Sequence, residues 1–144
     1  MTSELIRSAG AMRTQRLPLS ARAATMALFF VNGATIATWG VHIPTVKARF
    51  GLSEASLSLA MFMVAAGAIA AMKFAGGWAA RVSTRRASVQ AGVVFGLMTG
   101  LLMLMPSYAL LLGLLVLFGI TNAGFDVAIN AQATTVEAHS HKPI

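Results

Sequence analysis

Tyr108 to Asn130 reads YALLLGLLVLFGITNAGFDVAIN, and two properties of this stretch decide the fold. From Tyr108 to Ile129 it carries a single charge, Asp126, over a length that covers about 33 Å as a helix, against roughly 30 Å of hydrocarbon in a bilayer. Its polar residues are also ordered. Asn122, Asp126, Asn130 and then Thr134 recur every four residues, which places them on one slowly turning helical face. Together these properties describe a membrane helix with one wet side.

The rest of the chain has the same character. Its 144 residues are 57% hydrophobic and only 10% charged, with a mean hydropathy of +0.75, more apolar surface than a soluble domain of this size hides. The net charge of +7 does not indicate a nucleic-acid partner, because the basic residues fall between apolar runs and are not interleaved with aromatics on one polar face. Without cysteine there are no disulfides, thiolate metal sites or cysteine nucleophiles. His139 and His141 form an HSH in a polar tail with no third ligand nearby, so we expect no metal or other cofactor. No phosphate loop, nucleophile elbow or HExxH is present, and no enzyme is expected.

Four segments are long and apolar enough to span: about 23–43, ending at Pro44; 55–74, with Ser53 as N-cap and Glu54 in its first turn; 87–105, ending at Pro106; and 108–130, with a wet continuation toward Glu137. The fold class is therefore all-α membrane protein. Residues 1–22 form a basic leader, 23–137 the membrane region and 138–144 a tail. The first span is longer than a signal-peptide core and no small-x-small cleavage site follows it before WGVHIP, so it is read as retained.

Lys and Arg set the direction. Arg7, Arg13, Arg16, Arg22, Arg81, Arg85, Arg86 and Lys142 fall on one side, joined by Lys73, whose amine can snorkel from the end of the second span; Lys47 and Arg49 fall on the other. Both termini are expected to be cytoplasmic, with the chain in the cell's inner membrane. On that topology Asp126 lies roughly 11 Å from the bilayer centre, on the cytoplasmic side.

Gly92, Gly96 and Gly100 recur every four residues in the third span and read as a close-packing stripe, a theme repeated more loosely by Gly67, Ala71 and Ala75 in the second. In the first span Thr25, Asn32, Thr35, Trp39 and His42 fall along one stripe. A carboxylate deep in a span costs about 2.5–3.5 kcal/mol on insertion scales, so the stripes of the first and fourth spans must face protein or water. Two readings stay open. Asn32, Asn122, Asp126 and Asn130, with Trp39 and His42, line a solute or proton cavity, or they hydrogen-bond one another and hold helices together.

The connection GGWAARVSTRR, Gly76 to Arg86, resembles the cytoplasmic signature GxxxD(R/K)xGx(R/K)(R/K) of the major facilitator superfamily. Gly76, Arg81, Arg85 and Arg86 match it, while Ala80 stands in place of the Asp and Ser83 in place of the second Gly. The segments WGVHIPTVKARFGLSEASLSLAMF and GITNAGFDVAINAQATTVE are similar to a bacterial branch loosely related to sugar permeases such as the fucose:proton symporter. The resemblance implies a secondary transporter of twelve helices in two halves, moving a small solute, sugar-like and proton-coupled by that likeness, through alternating access. It also implies that the first and fourth helices line the cavity and that the signature arginines help latch one conformation; as plain orientation charges they need no latch. On this reading the chain is an amino-terminal piece, its tail is truncated, and its partners are the lipid bilayer, the solute and the remaining helices of the parent. The alternative is a complete four-helix protein acting as a dimeric exporter or scaffold; small exporters of that type carry their carboxylate in the first helix, which here has none.

Overall fold

The computed structural model describes residues 19–81 and 83–140. Four helices follow one another: α1 (Leu19–Phe50), α2 (Glu54–Arg81), α3 (Thr84–Leu104) and α4 (Tyr108–Ser140). Each contains a window long and apolar enough to cross a membrane. Arg7, Arg13, Arg16, His141 and Lys142 fall outside the described residues, as do the side chains of Ala80 and His139.

Pro44 does not end the first helix. It lies inside α1, which runs on to Phe50. The proline removes only its own N–H from the ladder, and membrane helices tolerate that loss. The stop is Gly51, at φ +59, with its amide donating to the Ala48 carbonyl and the Leu52 amide to the Lys47 carbonyl. This paired closure requires a left-handed residue, which glycine supplies without strain.

The other ends are set by short polar or proline signals. Ser53 caps α2 by accepting the Ser56 amide at 3.2 Å, and Lys47 pairs with Glu54 across the turn. Pro106 holds Met105 extended at ψ 127 and so closes α3. Because α2 continues to Arg81, Lys73 is two turns inside the helix rather than at its end.

The helices alternate in direction, with α4 at the centre. It packs most extensively on α2, then on α3 and α1, while α2 and α3 barely touch. The α2–α4 contact depends on two glycines. A Cβ on Gly67 would sit 2.1 Å from the Val116 carbonyl oxygen, and one on Gly119 would sit 2.1 Å from that of Val64. Against α3, α4 presents Phe118 and Phe125, whose rings lie 4.9 and 6.1 Å from that of Phe95. Ser88 also donates to the Ala128 carbonyl at 3.1 Å, and Tyr108 to that of Ser56 at 2.6 Å.

The glycine stripe of the third helix does not pack as expected. Gly92 faces the Phe125 ring, but nothing lies within 4 Å of a Cβ at Gly96 or Gly100. The buried face of α3 is Ala87, Ser88, Ala91, Phe95, Thr99 and Leu102, and the bulk of Phe95 sets its rotation. The regular glycines are turned about 100° from that face for each residue of offset. In α2 the looser series does pack, since Gly67, Ala71 and Ala75 are all buried.

Much of the outer surface is apolar, with Phe30 76% and Phe74 75% exposed. A bilayer accommodates such a surface, and the unpaired faces of α1 and α2 are also where further helices can pack. The crossing makes a direct prediction. Gly67→Val or Gly119→Val should lower stability by about 1–3 kcal/mol or abolish folded protein, whereas Gly96→Ala should stay within about 0.5 kcal/mol of the parent. Thermal unfolding in detergent measures both.

Candidate functional site

The face of α4 that meets α1 brings the two predicted polar stripes together. On α1, Thr25, Asn32 and Trp39 are buried at seven-residue intervals, and Val46 continues the row. Two turns of helix separate successive members, so one side of α1 stays against the bundle.

Two cross-helix hydrogen bonds tie this row to α4. Asn32 Nδ2 donates to Asp126 Oδ1 at 3.5 Å, the long end of the range. Gln132 Nε2 donates to Thr25 Oγ1 at 3.3 Å, and Thr25 in turn donates to the Ala21 carbonyl at 3.0 Å. Asn32 is only 8% exposed, whereas Asp126 is exposed on the other side of the contact. Among the described residues no Lys or Arg pairs with Asp126.

Asn122 lies one turn from Asp126 and is half-buried, and Asn130 lies one turn the other way, donating to the Asp126 carbonyl at 2.8 Å. Asn130 also lines a cleft of about 500 Å³ with Met26, Phe29, Ala133, Thr134 and Glu137. The cleft opens between α1 and the end of α4 distal to the α1–α2 turn. Asn32, Asn122, Asp126 and Asn130 therefore form one seam.

Trp39 and His42 do not join it. Trp39 is buried against Phe118, ring centres 6.2 Å apart, as part of the aromatic core. His42 is bound to the Thr38 carbonyl of its own helix at 2.7 Å, roughly 15 Å along α1 from Asn32. Gln132, by contrast, belongs to the seam although it is off the four-residue rhythm that marks the stripe. Its sequence signal is an amide two residues beyond Asn130, outside the stripe.

At the other connection Arg81, Arg85 and Arg86 are exposed. Arg81 occupies the last turn of α2, where the helix dipole favours a cation. Arg85 and Arg86 fall in the first turn of α3, behind Ser83, whose side chain makes no cap. There the dipole opposes them by about 0.3–1 kcal/mol each, so the three arginines do not act together as helix-end caps. A Cβ at Gly76 would meet nothing within 4 Å, so among the described residues no close contact requires a glycine there. Among the described residues no group of His, Asp and Glu is placed to hold a metal.

The order of the helices, the apolar outer surface and the α1–α4 seam define a multi-pass membrane protein with a polar interior face. The chain belongs to the Major Facilitator Superfamily, which it matches over residues 9–143. It is 35% identical over 109 residues to the membrane protein MosC of Rhizobium meliloti, covering 76% of this chain and 27% of that one. It is 36% identical over 122 residues to an uncharacterized MFS-type transporter of Yersinia pestis, covering 85% and 32%. An uncharacterized transporter of Sinorhizobium fredii is 28% identical over 116 residues, covering 81% and 31%. The chain thus spans about three-tenths of the length of these relatives. No solved structure matches it.

The seam's geometry separates charge from hydrogen bonding at Asp126. Asp126→Asn keeps an oxygen for the Asn32 amide and should change stability by less than about 1 kcal/mol, whereas Asp126→Leu leaves that buried amide unpaired and should cost about 1–3 kcal/mol. Unfolding midpoints of the two variants in the same detergent decide between them.

Proposed function

We propose that these four helices are the first four of a twelve-helix secondary transporter that carries a small solute by alternating access. The observation that carries the reading is the juxtaposition of Asn32 and Asp126 between α1 and α4. An exposed carboxylate beside a buried amide, inside a span, is costly in lipid and useful in a water-filled cavity. Family membership and the transporter names of two relatives support the same reading, and they weigh against a dimeric four-helix exporter or scaffold.

In this account α1 and α4 form one wall of the cavity, and Asp126 and Asn130 contact the solute or the coupling proton from the cytoplasmic half. Asn122 and Asn32 hold the carboxylate's surroundings polar. Rocking needs a second half to move against, which the remaining helices supply. Arg81, Arg85 and Arg86 mark the cytoplasmic side, and their exposure leaves them available to a contact from that second half, with Ala80 unable to add the signature carboxylate. Both termini lie in the cytoplasm, and the protein resides in the inner membrane.

Two experiments test the proposal. In proteoliposomes of the full-length transporter, Asp126→Asn should lower proton-dependent uptake by tenfold or more; uptake with unaltered proton dependence overturns the role of Asp126. A reporter fused after Ile144 should be active only when cytoplasmic, and periplasmic activity overturns the topology.

A further inference from the structure

Beyond the Gly67–Gly119 crossing, toward the end that carries the signature connection, α4 is left uncovered. A Cβ at Gly124 would meet nothing within 4 Å, in contrast to one at Gly119. Because α2 and α3 barely touch, the space over Gly124 stays open between them. Two cavities share Gly124 and Trp78. One, of about 340 Å³, runs along α2 past Ala71 and Phe74; the other, of about 200 Å³, lies against Ala91 and Val94 of α3. Together they make an apolar groove. Thr121, on its floor, turns its hydroxyl back to the Leu117 and Phe118 carbonyls of its own helix.

The mouth of the groove is basic. Gln90 lines the cavity on the α3 side and also a third one, of about 260 Å³, with Arg85, Arg86 and Val89, so the lining changes from apolar to cationic across one residue. On α2, Arg81 follows Trp78 by three residues and Phe74 by seven, which sets it on the groove-lining face of that helix. Arg81 and Arg86 lie about 4.5 and 6 Å further along their helices than Trp78 and Gln90. They are exposed, and among the described residues no carboxylate pairs with them. Glu54 is at the opposite end of α2, and Asp126 and Glu137 lie on the side of α4 that meets α1.

An apolar groove that ends in guanidinium groups complements an amphiphile with an anionic head, and the bilayer around the protein supplies one. Basic pockets between membrane helices bind anionic lipid headgroups, and the guanidinium fork matches a pair of phosphate oxygens. An acyl chain lying over Gly124 asks for no hydrogen bond. An uncharged helix laid over the same groove leaves the arginines without a counter-charge, and an ethanolamine headgroup brings a cation of its own up to them.

We infer that the groove over Gly124 holds one acyl chain of an anionic phospholipid, whose phosphate is bound by Arg81 and Arg86. The site requires only a multi-pass membrane protein and goes beyond the transporter reading, so the two stand or fall separately.

The test is equilibrium binding to the full-length protein in a neutral detergent, with radiolabelled phosphatidylglycerol as the probe and phosphatidylethanolamine of the same acyl chains beside it. Phosphatidylglycerol should bind saturably and about fivefold or more tightly than phosphatidylethanolamine, the gain expected from even one arginine facing an anionic headgroup. Arg81→Gln combined with Arg86→Gln should remove that preference. Gly124→Leu fills the groove without altering the arginines, and because the position is open it should keep its unfolding transition while weakening phosphatidylglycerol binding severalfold. Glycerophosphoglycerol, the same headgroup without acyl chains, should not displace the lipid. Equal binding of the two lipids, unaltered binding to folded Gly124→Leu, or displacement by glycerophosphoglycerol overturns the inference. So does an absence of phosphatidylglycerol binding, which would show that another helix of the parent covers the groove.

Discussion

The close crossing of α2 and α4 at Gly67 and Gly119 is the constraint from which the other placements follow. Each glycine lets the opposing backbone carbonyl approach to within a distance that any side chain would forbid. In lipid no hydrophobic gain drives helices together, so van der Waals contact along such a crossing, supplemented by interhelical hydrogen bonds, must do so. Once α4 is locked against α2 on its Gly119 side, its Phe118 and Phe125 are directed at α3, and its Asn122–Asp126 face is left for α1.

That arrangement divides the labour among the contacts. The α3–α4 contact is aromatic and filled, with Gly92 making room for Phe125. The α1–α4 contact is polar and incompletely satisfied, with three buried amide oxygens lacking donors among the described residues. The first gives a rigid support and the second a surface with spare hydrogen-bonding capacity. On the proposed reading both are used, because a solute must displace its water onto groups that are held in place but not already paired.

The sequence made the helices and the wet faces legible, because length, hydropathy and the four-residue rhythm of Asn122, Asp126 and Asn130 are local properties. It misled where a pattern was regular but its rotation was set elsewhere: Gly96 and Gly100 repeat cleanly yet face away from the bundle, since Phe95 determines how α3 turns. Pro44 looked like a stop, but Gly51 supplies the left-handed residue that ends α1. Trp39 shares a stripe with Asn32 and still goes to the core, because Phe118 waits opposite it. The α2–α4 crossing was half visible, through Gly67 alone, because nothing in a single chain pairs Gly67 with Gly119 before the helices are placed.

On the proposed reading, Asp126 and its neighbours face an aqueous cavity beside α1. These 144 residues contain no cysteine, so a cysteine placed in α4 is unique among them. Single cysteines placed along α4 from Gly119 to Glu137, in the protein in native membranes, can be titrated with a membrane-impermeant maleimide. Labelling should peak at positions 126, 130 and 134 and fall to background at 125, 128 and 129. Background labelling at all three of the first set, or uniform labelling along the helix, contradicts the claim.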